Sequence, residues 1–302
     1  MLVVGSVAYD NIITPHSQGE RILGGSASYA SLAGSFFTPT RLVGVVGNDF
    51  DPGHIERLRK RGVDLTGLQT DDSGPTFFWK GQYHENFNRR DTLEIQLNVF
   101  ERFNPVLPSD YRSSPYVMLG NIGPDLQLAV LDQMEQKPFV IADTIDLWIE
   151  IKQQELLELI KRVDLFIIND SEATLLTGET NIIRAGEKLR TMGPASAIIK
   201  KGEHGAYLFH ADGLFALPAY PVVELNDPTG AGDSFAGAFL GYLAAIDRHD
   251  FAAMKQAMTY ATVVASLTVE AFSCDRLESA GIAEIQSRRN ALLAMIDAGA
   301  SA

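Results

Sequence analysis

The chain has 302 residues, of which 46% are hydrophobic and 21% are charged, as in an ordinary globular protein. Its formal net charge of -13 at pH 7 argues against a broad electrostatic attraction to nucleic acid or to an anionic membrane. The single cysteine, Cys274, can form neither an internal disulfide nor a cysteine zinc site, which indicates a reducing, cytoplasmic environment.

The chain starts with MLVVGSVAYDNII, which has no basic leader and is interrupted by Asp10, so it predicts a buried strand and not a targeting segment. Further strands are predicted for apolar runs that alternate with helical patterns: TRLVGVVG, PYVMLGN, PFVIADT, VDLFIIND and ASAIIKKG. Helices are predicted between several of these runs, at 51–61, 124–135 and 153–161. This alternation predicts an α/β fold, a doubly wound and mainly parallel sheet flanked by helices, with ligands beyond the carboxyl ends of the strands.

The segment 73–103 departs from this alternation. It is rich in aromatic and β-branched residues, alternates in part, and has the polar turn HENFNRRD in its middle. We predict an antiparallel excursion that forms, together with the hairpin-like stretch 10–23, a small β lid over a site. The alternative is a plain edge extension of the main sheet. Because neither a repeat nor a Pro-rich linker occurs, residues 1–302 are predicted to be one domain with this lid.

The C-terminal third is predicted to be helical over 231–246, 250–269 and 277–298, and the first of these helices follows the glycine-rich NDPTGAGD. Gly230, Ala231 and Gly232 have little or no side chain, so backbone N–H groups at the helix start can face an anion. Asp233 would repel a phosphate that merely rested there, but it suits a base that deprotonates a hydroxyl attacking phosphorus. The alternative is an ordinary helix cap. Neither a P-loop nor a dinucleotide-binding glycine motif occurs elsewhere, which favours the phosphate site.

Several motifs stand in the order typical of one enzyme family. DPTGAGDSFAGAFLG resembles the second signature of the ribokinase-like (PfkB) family of small-molecule kinases, and LGGSASYASLAGSF resembles the first. The segments VGSVAYD, IINDSEATLLTG, IIKKGEHGAYLF and ATVVASLTVEAF also match in family order. The resemblance therefore extends over nearly the whole chain.

This resemblance implies an ATP-dependent kinase that transfers the γ-phosphoryl group to an alcohol of a sugar, cyclitol or nucleoside. Asp233 is then the catalytic base, and the backbone of residues 230–232 is the anion hole. The partners implied are ATP and a small-molecule acceptor, with Mg²⁺ and, as in some members, K⁺. The positions matched to the acceptor are Asp10, Gly24, Gly25 and Tyr29. Those matched to the nucleotide are Asn169, Glu172, Lys200, Gly202, Gly205 and Thr229. Glu172 is also matched to Mg²⁺, held through water, and Asp227 to the monovalent cation.

Departures from the family pattern concern the substrates. Tyr29 stands where ribokinases and adenosine kinases have an asparagine that contacts the sugar, so a direct ribose contact is in doubt. Lys200 stands where the family has a threonine. Asp143 is a candidate to face the site. Arg89 and Arg90 of the lid could meet a phosphorylated acceptor or could be solvated. The lid aromatics, which could stack on a purine or fill the seam under the lid, are Phe77, Phe78, Trp79 and Tyr83.

Two alternatives remain open at this stage. One is a catalytically inactive sugar-binding or regulatory protein on the same fold, against which the retained Asp233 and its glycines argue. The other is a kinase whose acceptor is a nucleoside, of the adenosine type, and not a free sugar. Exposed lid strands also favour a homodimer. Neither a nucleic acid nor a membrane is expected as a partner.

Overall fold

A computed structural model of the chain describes residues 1–87, 89–297 and 299. In chain order its strands are β1 (Leu2–Val4), β2 (Ala8–Ile13), β3 (Gln18–Gly24), β4 (Thr40–Gly47), β5 (Val63–Asp71), β6 (Phe77–Tyr83), β7 (Arg90–Gln96), β8 (Tyr116–Leu119), β9 (Phe139–Asp143), β10 (Leu165–Asn169), β11 (Ser196–Lys200), β12 (Ala206–His210) and β13 (Gly213–Leu217).

The α-helices are α1 (Ser26–Gly34), α2 (Pro52–Lys60), α3 (Pro124–Leu131), α4 (Asp146–Ile151), α5 (Gln153–Ile160), α6 (Asp170–Thr177), α7 (Ile182–Thr191), α8 (Ala231–Ile246), α9 (Phe251–Thr268), α10 (Asp275–Ser279) and α11 (Ile282–Ile296). Short 3-10 helices lie at Asn98–Arg102, Ser109–Tyr111 and Gly202–His204. In the described part of the chain, none of these helices has both the length and the apolar character needed to cross a membrane.

The main sheet has the strand order β13-β12-β11-β10-β9-β8-β1-β4-β5. Neighbouring strands are parallel from β11 to β5, and β12 and β13 are antiparallel additions at one edge. Helices cover both faces, so the predicted doubly wound and mainly parallel α/β fold is confirmed.

Side-chain alternation along the strands produces two hydrophobic cores. In β1, Val3 points into a core shared with α1, α8 and α9, whereas Leu2 and Val4 point into a second core shared with α3, α5 and α7. All three strand residues are fully buried. A continuously apolar strand is what a sheet covered on both faces requires.

Three polar or charged residues come together because of this topology. Asp143, Asn169 and Lys200 are the last residues of the adjacent parallel strands β9, β10 and β11. Parallel strands bring their carboxyl ends to the same edge of a sheet, so these side chains share one edge.

Four strands form a separate small sheet in the order β3-β2-β6-β7. The outer pairs are antiparallel, as predicted, but the central pair of β2 and β6 is parallel. The predicted segment 73–103 is longer than its strands, because β6 starts at Phe77 and residues Asn98–Arg102 form a 3-10 helix. The first predicted strand is also split, since β1 ends at Val4 and the chain enters the small sheet at Ala8.

The helix predicted at 277–298 is wrong as a single element. It comprises α10 and α11, separated by Ala280 and Gly281, whose backbones are extended with ψ angles of 147 and 162°. Its predicted end at Ala298 lies outside the described residues. By contrast, α8 has the predicted bounds, and α9 is one residue shorter at each end than predicted.

Candidate active site

The glycine-rich loop leads directly into α8, as the sequence predicts. Gly230 is the N-cap residue, with a left-handed backbone (φ 76°), and the ring of Tyr29 packs so closely against it that a β-carbon would collide. Both features require glycine at this position. The following residues begin the helix, so Ala231 and Gly232 lie in its first turn, where N–H groups have no partner within the helix. The Ala231 N–H donates to the Pro228 carbonyl over 3.2 Å. Asp233, the third helical residue, is half-buried beside them.

Lys200 reaches the same helix end. A β-carbon built on Gly232 would lie 2.7 Å from Lys200 Nζ, so the ammonium group lies against the start of α8. Its charge lowers the pKa values of three carboxyl groups around it, which are those of Asp143, Glu172 and Asp233. In each of the three, however, burial is the larger effect and the pKa is raised from its ordinary value.

Asp143 is the most strongly affected of these acids. It is 6% exposed, and its Oδ1 has no hydrogen-bond partner among the described residues. Burial, followed by repulsion from Asp233, raises its pKa well above the ordinary value. A buried carboxylate oxygen without a partner, close to a lysine, is typical of a site that binds a further polar or cationic group.

Asn169 and Glu172 form a reciprocal cap at the start of α6. The Asn169 N–H donates to Glu172 Oε2 and the Glu172 N–H donates to Asn169 Oδ1, each over 2.8 Å. One oxygen of Glu172 is therefore committed to the cap, and the carboxylate is held at the edge of the sheet next to Lys200.

Asp10 is a buried residue of β2, one of the two inner strands of the small sheet. Its side chain contacts Gly24 so closely that a β-carbon there would collide, and Gly25, at the N-cap of α1, has a φ of 92°. The pKa of Asp10 is raised to about 8, mainly by burial and secondly by repulsion from Asp227 and Asp233. Asp10 and Asp233 thus face one shared space.

Asp227 is 1% exposed, and burial raises its pKa to about 6. Its Oδ1 accepts a hydrogen bond from the Thr229 N–H (2.9 Å), whereas its Oδ2 has no partner among the described residues. The Thr229 hydroxyl lies 3.0 Å from that of Tyr83, at the end of β6. The small sheet is therefore bonded directly to the glycine-rich loop that precedes α8.

The site-facing side of the small sheet carries an indole. Trp79 is paired in register with Asp10, which places both on the same face. Its ring lies against Gly81, its Nε1 donates to Thr92 Oγ1 (3.2 Å), and the Arg90 guanidinium lies 5.2 Å from the ring centroid. The indole is thus fixed on the face of the small sheet that carries Asp10.

The remaining predicted nucleotide residues lie near the end of β11. Gly202 and Gly205 bound the 3-10 turn between β11 and β12, with φ values of 52 and 91°. Lys201 points elsewhere, with its Nζ 6.0 Å from the Tyr207 ring centroid. Tyr29, predicted to bind the acceptor, is 1% exposed behind Gly230.

Sequence reasoning gave no role to the contact between Tyr83 and Thr229 and left Asp143 and Arg90 undecided. Tyr83 and Thr229 are 146 residues apart, so no local pattern connects them. For Asp143, the available signal was an acid at the end of a predicted strand.

An α/β sheet with acids, a lysine and a helix N-terminus at the carboxyl ends of its strands is the arrangement of a phosphoryl-transfer enzyme. The family model for pfkB family carbohydrate kinases matches residues 111–280, more than half of the chain. A cytidine kinase of Thermococcus kodakarensis is 31% identical over 80% of this chain and 88% of its own. A 2-dehydro-3-deoxygluconokinase of Thermoproteus tenax is 28% identical over 76% of this chain and 75% of its own.

The fold comparison agrees. A nucleoside kinase of Burkholderia thailandensis, solved with inosine, has a TM-score of 0.79 at 21% identity and covers 97% of this chain and 98% of its own. The chain belongs to the pfkB family of carbohydrate kinases, and it is a phosphotransferase that uses ATP and acts on an alcohol group.

The buried Asp10 predicts a pH-dependent stability. Between about pH 4 and the folded-state pKa of about 8, the folded chain holds a proton on Asp10 that the unfolded chain releases, so stability falls as pH rises. We expect Asp10→Asn, which has no charge to bury, to raise the free energy of unfolding by up to about 5 kcal/mol at pH 8 and by about 1 kcal/mol at pH 4.5. Urea unfolding at both pH values measures this.

The exposed Asp72 provides the control, because Asp72→Asn should keep the wild-type pH slope. If Asp10→Asn and the wild type lose the same stability between pH 4.5 and 8, the explanation by burial is wrong.

Proposed function

We propose that the protein is an ATP-dependent nucleoside kinase that phosphorylates an alcohol of the ribose. The observation that carries this proposal is the fixed indole of Trp79 on the face of the small sheet that carries Asp10. A carboxylate can accept hydrogen bonds from sugar hydroxyls, while an indole offers a flat apolar surface to a base. The cytidine kinase relative supports the same acceptor class.

In the proposed reaction, Asp233 takes the proton of the acceptor hydroxyl. The freed oxygen attacks the γ-phosphorus of ATP, the bond to the β-phosphate oxygen breaks, and ADP leaves. The N–H groups of residues 230–232 stabilise the charge on the transferring phosphoryl group. Lys200 supplies positive charge at the same helix end, and Asn169, Gly202 and Gly205 border the nucleotide.

Mg²⁺ fits the acidic edge of this site. Asp143 has an unpartnered buried oxygen, and Glu172 has the oxygen that its cap leaves over. Among the described residues no three metal-binding side chains gather to hold an ion alone, and Mg²⁺ with ATP commonly takes one or two carboxylates together with phosphates and water. When bound, the ion neutralises charge on the phosphate oxygens. We assign Glu172, acting through water, and Asp143 to it.

For K⁺ we assign Asp227, whose buried Oδ2 lacks a partner among the described residues. We also propose that the small sheet acts as a lid and joins two copies of the chain. Its edge strand β7 is exposed along its length, and Leu93 and Ile95 expose 49% and 50% of their surface. Pairing at this edge would cover these residues.

The proposal is tested by ADP release from Mg-ATP with a panel of nucleosides, free pentoses and hexoses, inositols, and 2-dehydro-3-deoxygluconate. We expect turnover with nucleosides. In Trp79→Leu, we expect KM for the nucleoside to rise about tenfold, because base stacking is lost, and KM for free ribose to stay unchanged. Trp79→Phe, which keeps an aromatic ring, should recover most of the affinity.

Turnover restricted to free sugars or to the sugar acid would show that the proposed acceptor class is wrong. The sugar acid is the second candidate, because Arg90 places an exposed cation on the same face of the small sheet. Preference for that acid would be expected to disappear in Arg90→Gln.

A further inference from the structure

A pair of hydroxyl groups connects the small sheet to the loop that precedes α8. Tyr83 Oη lies 3.0 Å from Thr229 Oγ1, and either hydroxyl can donate the hydrogen bond. Tyr83 is only 7% exposed, and burial raises the pKa of its phenol, so the hydroxyl retains its proton at neutral pH. The contact is therefore a buried neutral hydrogen bond.

On the loop side, Thr229 is fixed in two further ways. Its N–H donates to Asp227 Oδ1 over 2.9 Å, and its neighbour Gly230 is packed against the ring of Tyr29. The N–H groups of the anion hole belong to the residues that follow. A rotation of Thr229 would therefore change where these N–H groups point.

On the sheet side, Tyr83 ends strand β6 and is paired with Arg90 of β7. Arg90 also forms a side-chain hydrogen bond with Tyr83 and lies over the ring of Trp79. The face that carries Trp79 and Arg90 is thus linked through Tyr83 to Thr229. A ligand that shifts or orders this face acts on the loop as well.

We infer that Tyr83 is a positioning residue for phosphoryl transfer. Through Thr229 it holds the anion-hole loop in its active conformation, and it does so only while the small sheet lies over the site. The inference rests on the proposed roles of the anion hole and Asp233, but not on the identity of the acceptor. Tyr83 itself contacts no reacting atom, so its loss affects turnover more than acceptor affinity.

The test is a double-mutant cycle on the full-length protein. Tyr83→Phe and Thr229→Val each remove one hydroxyl and keep the shape of the side chain. We expect each to lower kcat about tenfold, with KM for the acceptor within about twofold of the wild type. The loss in the double variant should be well below the product of the two single losses, because both single variants lack the hydrogen bond between Tyr83 and Thr229. Thr229→Ser, which keeps a hydroxyl, should recover most of the kcat that Thr229→Val loses.

A readout without substrates accompanies the kinetics. Amide hydrogen exchange in residues 227–232 should be faster in both single variants than in the wild type, because the loop has lost its link to the sheet. The control is Tyr111→Phe, which removes a tyrosine hydroxyl that donates to the Asp64 carbonyl (3.2 Å) on another part of the fold. Tyr111→Phe should change neither kcat nor the amide exchange of residues 227–232.

Losses that multiply in the double variant, a loss confined to KM, or unchanged exchange in residues 227–232 would each overturn the inference. Full activity of Asp233→Asn would refute the proposed site and, with it, the positioning role. If the nucleoside proposal fails, another acceptor is phosphorylated. The double-mutant cycle is then measured with that acceptor, and the positioning role is still tested.

Discussion

Asp233→Asn is expected to abolish phosphoryl transfer, with kcat reduced by about 10³-fold or more, because an amide cannot take the proton of the attacking hydroxyl. The side chain keeps its size, so the first turn of α8 should be unchanged. Removal of its negative charge also relieves the repulsion on Asp10 and Asp143. Binding of ADP, which is anionic, should therefore be as tight as in the wild type or tighter. Steady-state kinetics and calorimetric titration with ADP separate the two effects.

The pH dependence of the wild type has a defined sign. Burial raises the pKa of Asp233, while the charges of Lys200 and Arg90 lower it. In its proposed role as base, Asp233 works only when ionised, so we expect activity to fall as the pH drops through that pKa. Ser234→Ala is the matched control, because Ser234 is buried in the same helical turn and its hydroxyl has no partner among the described residues. Turnover above about a tenth of wild type in Asp233→Asn would reject the base assignment.

The elements that could be predicted were those with strong local signals. The bounds of α8 were predictable because small residues precede a long apolar helical run. The split between α10 and α11 was missed because the helical pattern continues across Ala280 and Gly281, and only the extended backbone there interrupts it. Strands β5, β12 and β13 were not identified as separate elements. In β5 the burial alternates irregularly, and only two of its nine residues are buried.

Within the candidate site, the sequence located residues that stand in one glycine-rich motif or in one helix cap. It could not locate contacts between distant segments. The bond from Tyr83 to Thr229 depends on the parallel pairing of β2 with β6, whose orientation was not predicted. The position of Lys200 likewise depends on β11 lying next to β10 in the sheet. Long-range pairing decides both, and no local propensity encodes it.

Lys200→Met is expected to lower kcat by about 10²-fold, the usual cost of removing one group that stabilises a transferring phosphoryl charge. The ammonium group lies against Gly232 and lowers the pKa values of Asp143, Glu172 and Asp233. Without it, all three values rise. The acid limb of the pH profile of kcat should therefore move to higher pH, so that part of the activity lost at pH 7 returns at pH 9. Kinetics between pH 5.5 and 9.5 measure both changes.

Lys201→Met provides the matched control, because it removes the same charge one residue later in the chain. The Lys201 ammonium lies near the Tyr207 ring, away from the acids, so kcat and its pH profile should stay as in the wild type. Equal losses in the two variants would mean that a general decrease in positive charge weakens ATP binding. If kcat falls in Lys200→Met but the acid limb does not shift, Lys200 acts on the phosphates alone and does not affect the ionisation of Asp233. The predicted shift, confined to Lys200→Met, requires one ammonium group to serve both the phosphoryl group and the base.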